Sequence, residues 1–177
     1  QLQGSALQDQ GSRARQGVVM MADAFFEEDF RVLTPEAFDF VLNNELKRAV
    51  RSQNFLTLVL MEPTLLDAAD AQLGPDVAVR EIARLVSRDV RETDLLAHTD
   101  RGRLSVVLLD ADLQNSLRVI ERVTSRLDHY DFAQPLTIEI GAACCPTHGS
   151  DADTLRRAAE SRPVHPRRDQ RGNASNQ

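Results

Sequence analysis

Arginine and aspartate are the residue types here best equipped for chemistry, and Arg91 and Asp94 stand three apart. An arginine fork pairs with phosphate oxygens or with the O6 and N7 edge of guanine, and a carboxylate accepts from base N–H groups. The spacing alone is weak support, because 20 arginines and 17 aspartates give about two Arg-x-x-Asp matches by chance. The plainer alternative is a surface pair that solvates the bend between a helix end and a strand and adds little stability. Glu62 closes an apolar run and could hold a cation, but it has no second acid beside it. His98 falls in a strand-like run beside a turn, while His129, His148 and His165 are scattered without metal-ligand spacing. Cys144 and Cys145 are neighbours, so in an extended strand they point to opposite faces and suggest neither a disulfide framework nor a metal site. Nothing in the chain resembles the sharp strand-to-helix turn that carries a serine nucleophile.

These residues need a scaffold, and 177 residues with 42% hydrophobic content can bury a core. Thr34 then Pro35 is an N-cap followed by proline at the first helical position, and Phe38, Val41, Leu42, Leu46 and Ala49 recur at helical spacing to about Arg51. Residues 56–62 (LTLVLME) are apolar enough for a central strand. Gly74-Pro75-Asp76 opens a helix with Val79, Ile82, Val86 and Val90 on one face. Residues 95–99 and 104–109 read as a hairpin turning at 100–103. A helix from about Ala111 to Asp128 carries Leu113, Leu117, Ile120, Val123 and Leu127 as a stripe. Residues 136–145 are the last long strand, and 151–160 a short helix capped by Asp151. The order α-β-α-β-β-α-β-α predicts a single α/β domain with a mixed, mainly antiparallel sheet flanked by helices.

That domain is expected over residues 20–160, with 1–19 a disordered leader or linker and 161–177 a disordered tail holding two prolines and four arginines. Met20 or Met21 is a candidate start. The acidic run 22–31 (ADAFFEEDFR) carries Phe25, Phe26 and Phe30 and suits a lead-in helix packing on the domain or on a partner. A net charge of −6 and a pI near 5.2 disfavour non-specific binding to DNA or RNA. No apolar run approaches the ~20 residues of a membrane span. With no secretion signal and no disulfide pattern, a cytoplasmic location is expected. Lys47 is the only lysine, a bias for which a GC-rich genome is the plainer explanation, although an arginine-rich surface also suits bidentate recognition of phosphate or base edges.

The element order and the residues at its landmarks resemble the GGDEF domain of bacterial diguanylate cyclases, a nucleotidyl cyclase-like fold, over about residues 32–160. Val32-Leu33-Thr34 and Phe38 look like the family's opening leucine-threonine and first helix. Leu58-Val59-Leu60-Met61-Glu62 looks like the strand ending in the first metal-binding carboxylate. Arg91-Glu92-Thr93-Asp94-Leu95-Leu96-Ala97 is similar to the run R-x-S-D-L-V-A, and Glu121-Arg122-Val123 to E-R-I. Ile138-Glu139-Ile140-Gly141-Ala142-Ala143 resembles V-S-I-G-V-A, and Pro146-Thr147-His148-Gly149 the loop after it.

At the signature itself the chain departs. Asp100, Arg101, Gly102, Arg103 and Leu104 stand where GGDEF is expected. The metal-binding acid and the catalytic glutamate are thus replaced by Gly102 and Arg103. The second metal-site position aligns with Thr64, and the guanine-reading stretch 64–74 is about three residues short and holds no Asn. Residues 161–166 (SRPVHP) stand in place of the closing helix. The resemblance therefore implies a domain without cyclase activity, metal or cofactor. Arg91-x-x-Asp94 lies five residues before the degenerate signature, the register of the family's inhibitory site for cyclic di-GMP, and Arg122 takes the position of that site's second arginine. The implied function is a cyclic di-GMP receptor acting through an unknown protein partner, with a second copy of the chain as one candidate. The alternative is a ligand-free interaction or dimerisation module.

Overall fold

Thr34 starts the first helix as the sequence predicts, its side chain accepting from the Ala37 N–H ahead of Pro35. In this computed structural model, which describes residues 31–66, 75–99 and 102–164, the elements are β1 (Val32–Leu33), α1 (Pro35–Ser52), β2 (Leu56–Leu65), α2 (Pro75–Val86), β3 (Leu95–Thr99), β4 (Arg103–Leu109), α3 (Leu113–Asp128), β5 (Leu136–Cys145) and α4 (Ala152–Glu160). The expected leader and most of the acidic lead-in lie outside the described residues. β1 is an addition to the predicted order, a pair of residues too short to show any period.

The five strands form one sheet in the order β1-β3-β4-β2-β5. Only β1 and β3 pair in parallel; the other contacts are antiparallel, giving the mixed, mainly antiparallel sheet expected. β2 is central, and its alternating side chains serve two cores. Val59 and Met61 pack with Val79 and Ile82 of α2 and with Ile120 and Val123 of α3. Leu58 and Leu60 pack with Phe38 and Leu42 of α1 and with Leu155 and Ala159 of α4. The sequence predicts a strand ending at Glu62, whereas β2 runs on to Leu65. Its pairing with β4 stops at Met61 opposite Leu104, but pairing with β5 continues to Leu65 opposite Leu136. Pro63 thus falls where β2 has an open side, a place that tolerates a missing N–H.

The helix ends also sharpen the reading. Asp112 accepts from the Asn115 N–H at 2.7 Å, so α3 begins at Leu113 rather than near Ala111. Asp151 caps α4 through the Thr154 N–H, as predicted. α2 stops at Val86, and Val90 joins the same core from the following turn. Gly141 is required where α4 crosses β5, since a Cβ there would sit 2.1 Å from the Ala159 carbonyl oxygen. Among the described residues no helix is long and apolar enough to cross a membrane.

The start of the expected disordered tail is ordered instead. Pro163 bridges Gly141, the Val164 N–H donates to the Ile140 carbonyl at 2.7 Å, and Arg162 accepts from the Ala142 N–H. Val164 packs against the α2–α3 core. Prolines bar a helix here but not an edge-strand contact; residues 165–177 lie outside the described residues. A chain ending at Glu160 should therefore lose ~1–3 kcal/mol, from these bonds and the Val164 contact, relative to one ending at Val164. Thermal unfolding of the two truncations checks this, and equal midpoints would show that the segment contributes nothing.

Candidate functional site

Residues 87–94 must turn the chain from the end of α2 into β3, and Asp94 makes that turn. Its Oδ2 accepts from the Arg91 N–H at 2.8 Å, and its own N–H donates to the Arg91 carbonyl. Its Oδ1 accepts from the Leu109 N–H at 3.1 Å, tying the turn to the far end of β4. Asp94 is buried. The expectation of a partly solvated Arg91–Asp94 pair is thus corrected: the carboxylate is spent on backbone donors, which a close turn leaves unpaired otherwise.

Arg91, by contrast, is exposed, and its side chain has no hydrogen bond or ion pair among the described residues. Its carbonyl accepts from Arg31, whose guanidinium also donates to the Ser87 carbonyl. Arg122 projects from α3 to the same turn, donating to the Asp89 carbonyl, with its Nε 3.4 Å from the Asp89 carboxylate. Arg126, one helical turn on, closes a two-point contact with Asp89 at 2.5 and 3.0 Å. The Arg126 hydrogen bonds, together with the charges of Arg126 and Arg122, hold the Asp89 carboxyl below its usual range despite burial. The structure therefore brings Arg91 and Arg122 to one turn and assigns Asp94 to its interior.

Beside this turn, α2 and α3 enclose a groove of about 630 Å³ lined by Arg84, Arg88, Arg122, Arg126, His129 and Tyr130. Arg84 donates to the Tyr130 hydroxyl at 2.9 Å and lies over its ring. Arg88 is exposed and has no partner among the described residues. Sequence reasoning missed Arg84, Arg88 and Arg126. Arg126 carries a signal, its spacing of four from Arg122 on α3, which puts both on one face. Arg84 and Arg88 have no such signal, because α2 ends at Val86 and Arg88 lies in the turn after it.

Residues 102–104, part of the run expected to be a degenerate signature, sit at the other end of β3 and β4. Asp100 and Arg101 lie outside the described residues. Gly102 turns the chain with φ 71°, and Leu104 is fully buried opposite Met61 and His98. Arg103 reaches across to β2 and α4: it donates to Glu62 Oε2 and to Glu160 Oε1, each at 2.7 Å. Burial opposes its charge, but the bonds to Glu160 and Glu62 outweigh burial and raise its pKa. Glu62, the one acid the sequence offered for a cation, is thus occupied by a guanidinium. Among the described residues no three His, Cys, Asp or Glu side chains gather as metal ligands. His148 accepts from the Cys144 N–H in the loop after β5, and both cysteines are buried without a disulfide.

A family model described as "Diguanylate cyclase, GGDEF domain" matches residues 35–172. The fold is similar to the GGDEF domain of PA1120 (YfiN or TpbB) from Pseudomonas aeruginosa, at 19% identity and TM-score 0.65, over 73% of this chain and 86% of that one. It is similar also to the coiled coil and GGDEF domain of DgcB from Caulobacter crescentus in complex with c-di-GMP, at 14% identity and TM-score 0.69, covering 87% and 86%. A third likeness is diguanylate cyclase SiaD in complex with its activator SiaC from P. aeruginosa, at 18% identity and TM-score 0.67, covering 89% of this chain and 63% of that one. No protein among those with curated functions matches.

Proposed function

Because the chain belongs to the GGDEF domain family of diguanylate cyclases, we propose that it is a catalytically inactive member that binds cyclic di-GMP at the Arg91 turn and signals through a protein partner. The observation that carries the reading is Arg103, held between Glu62 and Glu160. Joining two GTP molecules is in-line phosphoryl transfer and needs divalent cations held by carboxylates. The residues present do not fit such a cation. Gly102 has no donor side chain, Thr64 is not an acid, and a guanidinium already takes the Glu62 oxygen. Arg103 puts positive charge where a metal would need negative charge.

Binding is a separate matter and is favoured by the opposite end of the β3–β4 hairpin. Arg91 offers to a phosphate or a guanine edge a guanidinium that has no partner among the described residues. Arg122 supplies the second arm from α3, with more than half of its side chain exposed. Asp94 serves as a positioning residue, fixing the turn that presents Arg91. DgcB, whose structure holds c-di-GMP, and SiaD, whose structure holds its activator SiaC, indicate the kinds of ligand and partner such a domain meets.

Losing a charge-assisted contact costs ~1.5–3 kcal/mol, so Arg91→Ala should weaken cyclic di-GMP binding about 10- to 150-fold. Arg122→Ala should weaken it less, because Asp89 already shares that side chain. Titration calorimetry on the folded variants measures both, and an Arg91→Ala protein that binds like wild type would remove this site.

A further inference from the structure

Arg31, the residue that follows the acidic run 22–30, is tied to the turn beside the arginine groove. The Arg31 guanidinium donates to the Ser87 carbonyl at 2.8 Å and to the Arg91 carbonyl at 2.7 Å, which fixes the chain against the turn that follows α2. Arg88, on the groove wall, is the next residue after Ser87. The nine residues before Arg31 (22–30, ADAFFEEDF) hold Asp23, Glu27, Glu28 and Asp29, along with three phenylalanines and no basic residue. Extended, nine residues reach about 30 Å, while the twelve residues of α2 span about 18 Å. The segment is therefore long enough to span the groove with Arg31 kept in place.

The charges match. Four guanidiniums line the groove. Asp89 is shared by Arg122 and Arg126, and Glu81 accepts from the Tyr130 hydroxyl at its rim. Counting both acids, the groove keeps a surplus of two positive charges beside a segment carrying four negative ones. A tethered segment needs little intrinsic affinity, because its short span keeps it at a high effective concentration.

We infer that the α2–α3 arginine groove docks the chain's own acidic lead-in, residues 22–30. This contact does not depend on cyclic di-GMP and involves two residues, Arg84 and Arg88, outside the proposed nucleotide site. The contact would transmit changes upstream of Arg31 to the Arg91 turn, because Arg31 holds both.

Hydrogen–deuterium exchange of amides 23–30, in the whole chain at low salt, tests it. In wild type these amides should exchange about tenfold or more slowly than an unstructured peptide. Protection should fall to within about twofold of the unstructured rate in 1 M NaCl and in the Arg84→Glu/Arg88→Glu variant. Adding Glu27→Arg and Glu28→Arg to that variant should restore it. Unprotected amides in wild type would overturn the inference. So would protection unchanged by salt or by the arginine reversals, and so would protection that rises with protein concentration, which would make a second copy the occupant. The salt arm uses wild-type protein and so decides the matter even if the variant misfolds.

Discussion

Supplied with GTP and Mg²⁺ or Mn²⁺, the protein is expected to form no cyclic di-GMP, and restoring the two signature acids should not change that. Gly102→Asp puts a side chain at φ 71°, a region that L residues enter at a cost of ~1 kcal/mol. Arg103→Glu removes the guanidinium that joins Glu62 to Glu160 and leaves three carboxylates facing one another. Both partners are about half exposed, so solvent screens the repulsion, and a cost of ~1–2 kcal/mol is expected. The double variant should therefore be less stable than wild type and still inactive, because the other departures expected from the resemblance, at Thr64 and across 64–74, are unchanged. Chromatographic detection of cyclic di-GMP after prolonged incubation checks both proteins; turnover by wild type would refute inactivity outright.

Asp94→Ala should produce the largest loss of stability among the site variants. Its carboxylate satisfies the Arg91 and Leu109 N–H groups from a buried position. A hydrogen bond to a charged group contributes ~1.5–3 kcal/mol, and water replaces part of what is lost, which leaves about 3 kcal/mol. For a chain of this size that lowers the thermal midpoint by roughly 6–12 °C. Asp94→Asn keeps one acceptor oxygen and should fall between the two. Arg91→Ala should stay within ~0.5 kcal/mol of wild type, as expected of an exposed side chain without partners among the described residues. An Asp94→Ala midpoint within 2 °C of wild type would contradict the positioning role assigned to it.

The contrast between Arg91 and Asp94 marks where sequence reasoning reaches its limit. Spacing brought the two residues forward as a pair, and they do share a turn, but spacing carries no information on burial. Only the fold reveals that the end of β4 delivers the Leu109 N–H to Asp94. Arg103 repeats the lesson. Its positive charge is plain in the sequence, while its partners lie 41 and 57 residues away and become neighbours only in the folded chain. Elements with a full period were legible: the α3 stripe, the caps at Thr34 and Asp151, and the hairpin at Gly102. Those held by partners rather than pattern were not, namely β1, the end of β2 beyond Pro63, and the Pro163–Val164 edge contact. Each is a short segment whose conformation comes from the strand beside it.

Titration calorimetry of the wild-type protein with cyclic di-GMP, with GTP as control, tests the central claim most directly. The account predicts saturable binding of cyclic di-GMP at or below tens of micromolar, with no comparable heat from GTP. Absence of binding to cyclic di-GMP in that range would contradict the receptor reading and leave the domain as an interaction module built on the same GGDEF fold.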